Sequence, residues 1–182
     1  MTRSLLDAAD LQAFLAQFRD ISDPELVLLK AHLLVERVLV AALVIRLDKK
    51  DDDRTPRVGF GALVELATRR DEDRAPLRSF NELRNALAHE LDGTDSSAFR
   101  AAMGRLGVLW PDGKDARLTT AHLVATVMIQ RAFLHYLQET YEETRRQEPP
   151  DYPEFEEMEE QDAELERIRQ DIADLEAQFT VH

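Results

Sequence analysis

The segment from Pro24 to Leu47 constrains this chain most. It is apolar on nearly every side of a helix, with Leu26, Leu29, Leu33, Val40, Leu43 and Val44 among many such positions. A helix of that kind belongs at the centre of a bundle or inside a membrane. Its longest uncharged apolar run, Val38 to Ile45, is far too short to span a bilayer. A helical bundle built around this segment is therefore expected. Ser22-Asp23-Pro24 marks its start, with proline at the first helical position and Glu25 near the positive end of the dipole.

The flanking sequence also reads as helices. Ser4 can cap a first helix reaching about Phe18, with Leu5, Leu11, Phe14, Leu15 and Phe18 as its apolar positions. Asp48 to Pro56 is a charged loop, and helices are expected at about Phe60–Arg70, Pro76–Leu91 and Ser97–Leu106. Gly107 and the Trp110-Pro111-Asp112-Gly113 turn end the last of these. A long helix from about Thr120 to Arg146 follows, with Leu123, Val127, Phe133, Leu134, Leu137 and Tyr141 as buried positions. No alternating strand pattern competes, so the expected fold class is all-α.

Charge divides the chain. It carries 36 acids against 23 bases, a formal net charge of -13. Residues 149–182 hold twelve acids and two arginines, a net of -10, whereas residues 1–148 are nearly neutral at -3. Pro149, Pro150 and Pro153 sit at the change, where proline stops a helix. The expected organisation is a helical body over 1–148 and an acidic tail over 149–182. In the tail, Leu165, Ile168, Ile172, Leu175 and Phe179 step by three and four, with Met158 one heptad before Leu165. That is a short coiled-coil seam. It can pair with a second copy, lie back on the body, dock onto a partner or stay a solvated helix.

Several function classes are excluded. Without cysteine there is no disulfide framework, zinc-thiolate site or thiol nucleophile. None of the six glycines forms a phosphate loop. The acidic balance argues against coating nucleic acid through bulk electrostatics. The opening Met1-Thr2-Arg3-Ser4 lacks an apolar signal core, so a cytoplasmic protein away from membranes is expected.

One helix does not sort cleanly. Leu77, Phe80, Leu83, Leu87 and Leu91 form an apolar stripe, and Arg74, Arg78, Asn81, Asn85 and His89 a separate polar face. Arg84 falls within the apolar arc, at the edge bordering Asn81. A guanidinium cannot be neutralised, so it must snorkel, meet a carboxylate or await an anion. Asn85 lies one turn before His89 and can orient or bond near its imidazole.

Arg84-Asn85-Ala86-Leu87-Ala88-His89 resembles the motif of the HEPN superfamily: arginine, a polar residue, a short spacer, then histidine. Leu29-Lys30-Ala31-His32-Leu33-Leu34-Val35-Glu36 resembles an early helix of such proteins, and Val58-Gly59-Phe60-Gly61-Ala62-Leu63 the segment before their motif helix. The likeness spans Pro24 to His89; elsewhere it is helical character alone. It implies an all-α, HEPN-like bundle acting as a metal-independent endoribonuclease of toxin–antitoxin or antiphage-defence type, with no cofactor. Motif helices of a homodimer, or a higher homo-oligomer, would meet and join two Arg–His pairs in one cleft on RNA. His89 would exchange protons with the ribose 2′-OH or the leaving 5′-oxygen, as imidazole does most readily near neutral pH. Arg84 would hold the scissile phosphate, and Asn85 completes the catalytic set. An antitoxin or defence-complex partner is implied as well. A toxin subgroup carries a nucleotidylated tyrosine two residues beyond the histidine; Leu91 stands here, so that silencing is not expected. Other members are noncatalytic dimeric interaction or sensor modules. In that alternative the acidic tail binds a partner.

Arg69, Arg70, Arg74 and Arg78 are the basic cluster nearest the motif, and Arg74 and Arg78 share the face of Asn85 and His89, which suggests RNA binding. Glu36, on a mostly apolar helix, needs a partner such as Lys30, His32 or Arg84. Orienting Arg84 from behind is its suggested role. His32–Glu36 and His135–Glu139 are spaced to ligate a metal or to hydrogen-bond. No histidine follows a glutamate by three, so the di-iron signature is missing, and no metal is expected.

Overall fold

Asp23 nucleates the central helix. In this computed structural model its carboxylate accepts from the N–H groups of Glu25 and Leu26 at 2.9 and 3.2 Å, satisfying two of the donors that every helix start leaves open. The structure describes residues 13, 15–18, 20–47, 58–68, 70–89, 93–147 and 155–180. Ser4, Leu5, Leu11, Phe14, the Asp48–Pro56 loop, Arg69, Leu91 and the Pro149–Pro153 boundary lie outside them. Ala13, Leu15 and Ala16 have helical backbone, and Phe18 is buried.

Six α-helices with defined bounds follow: α1 Pro24–Arg46, α2 Phe60–Ala67, α3 Asp71–His89, α4 Ser97–Arg105, α5 Lys114–Gln147 and α6 Phe155–Ala177. Among the described residues there is no strand, and the fold is all-α. None of the described helices is long and apolar enough to cross a membrane.

Helix α1 is central, packed along its length by α5 and further by α2 and α3. Val27, Leu28, Ala31, Val35, Val38, Leu39 and Ala42 are fully enclosed against Leu63, Leu77, Leu83, Val124 and Met128. It is not enclosed on every side, however. Leu33 is 64% and Leu26 42% exposed. Among the described residues α5, α2 and α3 pack on it and leave Leu26 and Leu33 open.

Two helices begin earlier than their sequence signals suggest. Helix α3 starts at Asp71 rather than Pro76. Pro76 consequently sits inside the helix and has no N–H for the carbonyl four residues back. Helix α5 starts at Lys114, where Gly113 has φ +91°, a value glycine adopts without strain. The third departure is a stop: α2 ends at Ala67 instead of Arg70. The Thr68 hydroxyl donates to the Val64 carbonyl at 2.7 Å and the backbone turns extended. Helix α4 follows its signals more closely, capped by Ser96 on Phe99 N–H at 3.1 Å. Phe99 is buried edge-on to Trp110, with ring centroids 4.9 Å apart.

The acidic tail lies back on the body. Helix α6 packs antiparallel on α5, since Arg145, Tyr141 and Arg131 of α5 meet Asp162, Glu164 and Glu176 in reverse order. Leu165, Ile172 and Phe179 are buried in the same core as the body, and Ile168 and Leu175 pack at its margin. The first heptad position does not join them, because Met158 is 46% exposed.

Candidate functional site

The polar face of α3 is built over a buried histidine. His32 of α1 is 3% exposed, with its ring 4.2 Å from Phe60 and 5.9 Å from Phe80 between centroids. Its Nε2 donates to Asn81 Oδ1 at 3.2 Å. Burial pulls the imidazole pKa down to about 4 against the ordinary 6.5, the Asn81 bond opposes this, and the nearby Arg84 charge adds to it. The ring is neutral at pH 7. Its partner is Asn81 across the helix interface, not Glu36 one turn along its own helix.

Arg84 resolves its misfit by turning sideways. Its Cα belongs to the apolar arc, but Nη1 donates to Asn85 Oδ1 at 3.1 Å and the residue is half-buried. The guanidinium is thereby drawn toward the Asn85–His89 face. Asn85 and His89 are both exposed, His89 as the last residue of α3. At about 100° per residue, Arg84 and His89 project from one helix about 140° apart. Asn85 bridges that angle. Glu36 is half-buried on α1 and does not hold Arg84, whose guanidinium goes to Asn85.

Arg74 and Arg78, earlier on α3, bond to the end of α2 and to the Thr68 that follows it. Arg74 donates to the Thr68 carbonyl at 3.0 Å and, through Nε, to the Thr68 hydroxyl at 3.2 Å, and lies 3.6 Å from Glu65. It pins the α2–α3 turn. Arg78 Nε donates to Glu65 at 2.8 Å. Both side chains bond toward α2 and the turn after it.

Beyond α3, Glu25 accepts from the N–H and hydroxyl of Thr94, each at 3.3 Å. A Cβ at the intervening Gly93, where φ is +51°, would come within 2.7 Å of that carboxylate. The positive φ favours glycine there, and a Cβ would push the Glu25 carboxylate aside. With His32 opposite Asn81 and Glu25 opposite Thr94, α1 runs antiparallel to α3. The exposed Leu26 and Leu33 therefore lie on the stretch of α1 that follows α3 from Asn81 to its end.

A second polar cluster sits at the other end of α3. Arg131 lies 3.8 Å from Asp73 and bonds Glu176, and buried His135 places Nε2 4.0 Å from Asp73. Burial lowers the His135 pKa, with the Asp73 charge opposing. Glu139 is 2% exposed beside it. Sequence reasoning noticed His135 and Glu139 but missed Asp73, Arg131 and Glu176. The available signal was Arg131 within the apolar run of α5, a charge that needs partners from elsewhere. Asp73 and His89 are sixteen residues apart on α3, about 24 Å along its axis, so this cluster and the tail stand away from the motif face. Among the described residues, no three histidine, aspartate or glutamate side chains converge as a metal-binding group.

Comparison of the chain with protein-family models, with curated proteins and with solved structures gave no match.

Proposed function

We propose that this protein is a HEPN-type, metal-independent endoribonuclease of toxin–antitoxin or antiphage-defence type, acting as a homodimer. One observation carries the reading: Arg84 is turned onto Asn85, on the exposed face that ends in His89. A guanidinium beside an amide, with an imidazole one turn away, is the equipment for cleaving a phosphodiester by its own 2′-OH. The 2′-oxygen attacks phosphorus, its proton passes to one His89, and the P–O5′ bond breaks. The partner copy's His89 protonates the leaving 5′-oxygen, giving a 2′,3′-cyclic phosphate and a 5′-OH end. Arg84 stabilises charge on the non-bridging oxygens. Two copies would bring two Arg84–His89 pairs into one cleft, and the exposed Leu26 and Leu33 of α1 supply apolar surface for their contact. Arg74 and Arg78, on the same helix and held by Thr68 and Glu65, would guide RNA phosphates toward this face.

The test is incubation of purified wild type, Arg84→Ala and His89→Ala with RNA in EDTA, with the product ends mapped. Wild type should leave cyclic phosphates, and His89→Ala should lose about 10²–10⁴ in rate. Equal cleavage by His89→Ala ends this mechanism. A dimeric wild type that cleaves nothing selects the noncatalytic interaction module instead.

A further inference from the structure

We propose that Asn81 is an additional phosphate-contacting residue of this site and that His32 is the positioning residue that aims it. The inference rests on the nuclease reading above. Asn81 lies one turn before Asn85 and three residues before Arg84, so it extends their polar row toward the middle of α3. Its carboxamide has one acceptor end and one donor end. The acceptor, Oδ1, is occupied by His32 Nε2 beneath it. The donor end therefore turns outward. Among the described residues Asn81 Nδ2 has no protein acceptor, and it is not one of the buried polar atoms left without a partner, so solvent or a ligand reaches it. An outward pair of N–H donors beside a guanidinium suits a phosphate oxygen.

The aim depends on His32 being a fixed donor. Phe60 and Phe80 hold the ring in place, and burial and the neighbouring Arg84 keep it uncharged. A neutral imidazole has a single N–H. With that proton on Nε2, Asn81 must present its oxygen inward and its nitrogen outward. On the other tautomer the amide would flip and offer the phosphate a repelling carbonyl.

Two measurements test this. Nitrogen-15 NMR of the histidines at pH 7 should show His32 as the Nε2–H tautomer; the Nδ1–H tautomer overturns the proposal whether or not the chain cleaves RNA. Kinetics then test the contact. Asn81→Asp keeps an acceptor for His32 but replaces the outward donor with a carboxylate, so KM for RNA should rise about tenfold or more, with a smaller change in kcat. His32→Leu should reproduce part of that rise and His32→Gln, which restores a donor, should reverse it. Unchanged KM in folded Asn81→Asp, with wild type active, overturns the inference alone. Inactivity of wild type is the failure of the nuclease reading. In that case the contact is decided by binding of a 2′-O-methyl RNA oligonucleotide, where equal affinity of wild type and Asn81→Asp overturns it.

Discussion

Arg131 of α5 grips Glu176 of α6 with three hydrogen bonds, Nε to Oε1 at 3.0 Å and Nη2 to Oε1 and Oε2 at 2.6 and 2.7 Å. The same guanidinium faces Asp73 at the start of α3. One side chain thus ties the acidic tail to the motif-bearing helix. Arg131 is only 16% exposed on its side chain, so the pair is better shielded than an ordinary surface ion pair. Arg131→Met should cost about 1–3 kcal/mol and Glu176→Gln less, because the amide keeps an acceptor. Denaturant midpoints would measure both, and amide exchange should quicken first in α6. Equal exchange in wild type and Arg131→Met would show that the apolar contacts alone hold the tail.

Those contacts are the main anchor. Full burial of a leucine or isoleucine stabilises by roughly 1.5–3 kcal/mol, and an isolated helix of this length is marginal. Leu165→Asp with Ile172→Asp should melt α6 and leave the body folded, seen as partial loss of helicity with the main unfolding transition retained. Since the seam lies on α5 of its own chain, molecular mass should not fall. A drop in mass would mean that the seam joins copies instead. Met158→Asp, at an exposed position, should be nearly neutral.

The buried His32 sets a pH dependence. Its folded pKa of about 4 lies below the ordinary 6.5, so between those values the unfolded chain binds more protons. The stability is complete above about pH 6.5, falls as pH drops toward 4, and levels off below. The full loss is about 3 kcal/mol for this group, and buried His135, lowered in the same direction, adds to it. An NMR titration should find His32 still neutral at pH 5.5. Half-protonation near pH 6.5 would contradict the enclosed ring.

Composite sites make a mixing prediction. If each cleft draws Arg84 and His89 from different chains, Arg84→Ala and His89→Ala protomers combined should form mixed dimers with activity unlike either parent. Activity that is the plain average of the two parents would locate each site within one chain.

Gly93 tests the link between the start of α1 and the segment beyond α3. Gly93→Ala sets a Cβ against the Glu25 carboxylate that holds Thr94 and imposes an unfavourable backbone angle. About 1–2 kcal/mol of destabilisation is expected, measurable as a lower thermal midpoint. Gly113→Ala meets no neighbour and should cost only the backbone strain of its positive φ.

Helix α1 illustrates what was legible beforehand. Asp23, Pro24 and the continuous leucines and valines give its start, its length and its central place, because capping and hydrophobic burial are local or compositional properties. The tail seam was legible for the same reason: a heptad of Leu165, Ile168, Ile172 and Leu175 demands a cover. The candidate site was legible in part. Arg84, Asn85 and His89 stood out by type and spacing, yet the partners of Arg74 and Arg78 did not, because Glu65 and Thr68 reach them only once α2 turns into α3.

By itself the sequence determined an all-helical chain with a buried central helix, a helix of divided character and an acidic amphipathic tail. Those properties follow from periodicity, caps and charge, each read within a few turns of chain. Only the tertiary structure decided which groups meet. It set His32 under Asn81 rather than beside Glu36, bonded Arg74 and Arg78 to Thr68 and Glu65, and seated the tail on α5 at the far end of α3. Hydrogen bonds and ion pairs between helices depend on rotation and register, and residues forty-nine apart, as His32 and Asn81 are, come into contact only when the core has packed.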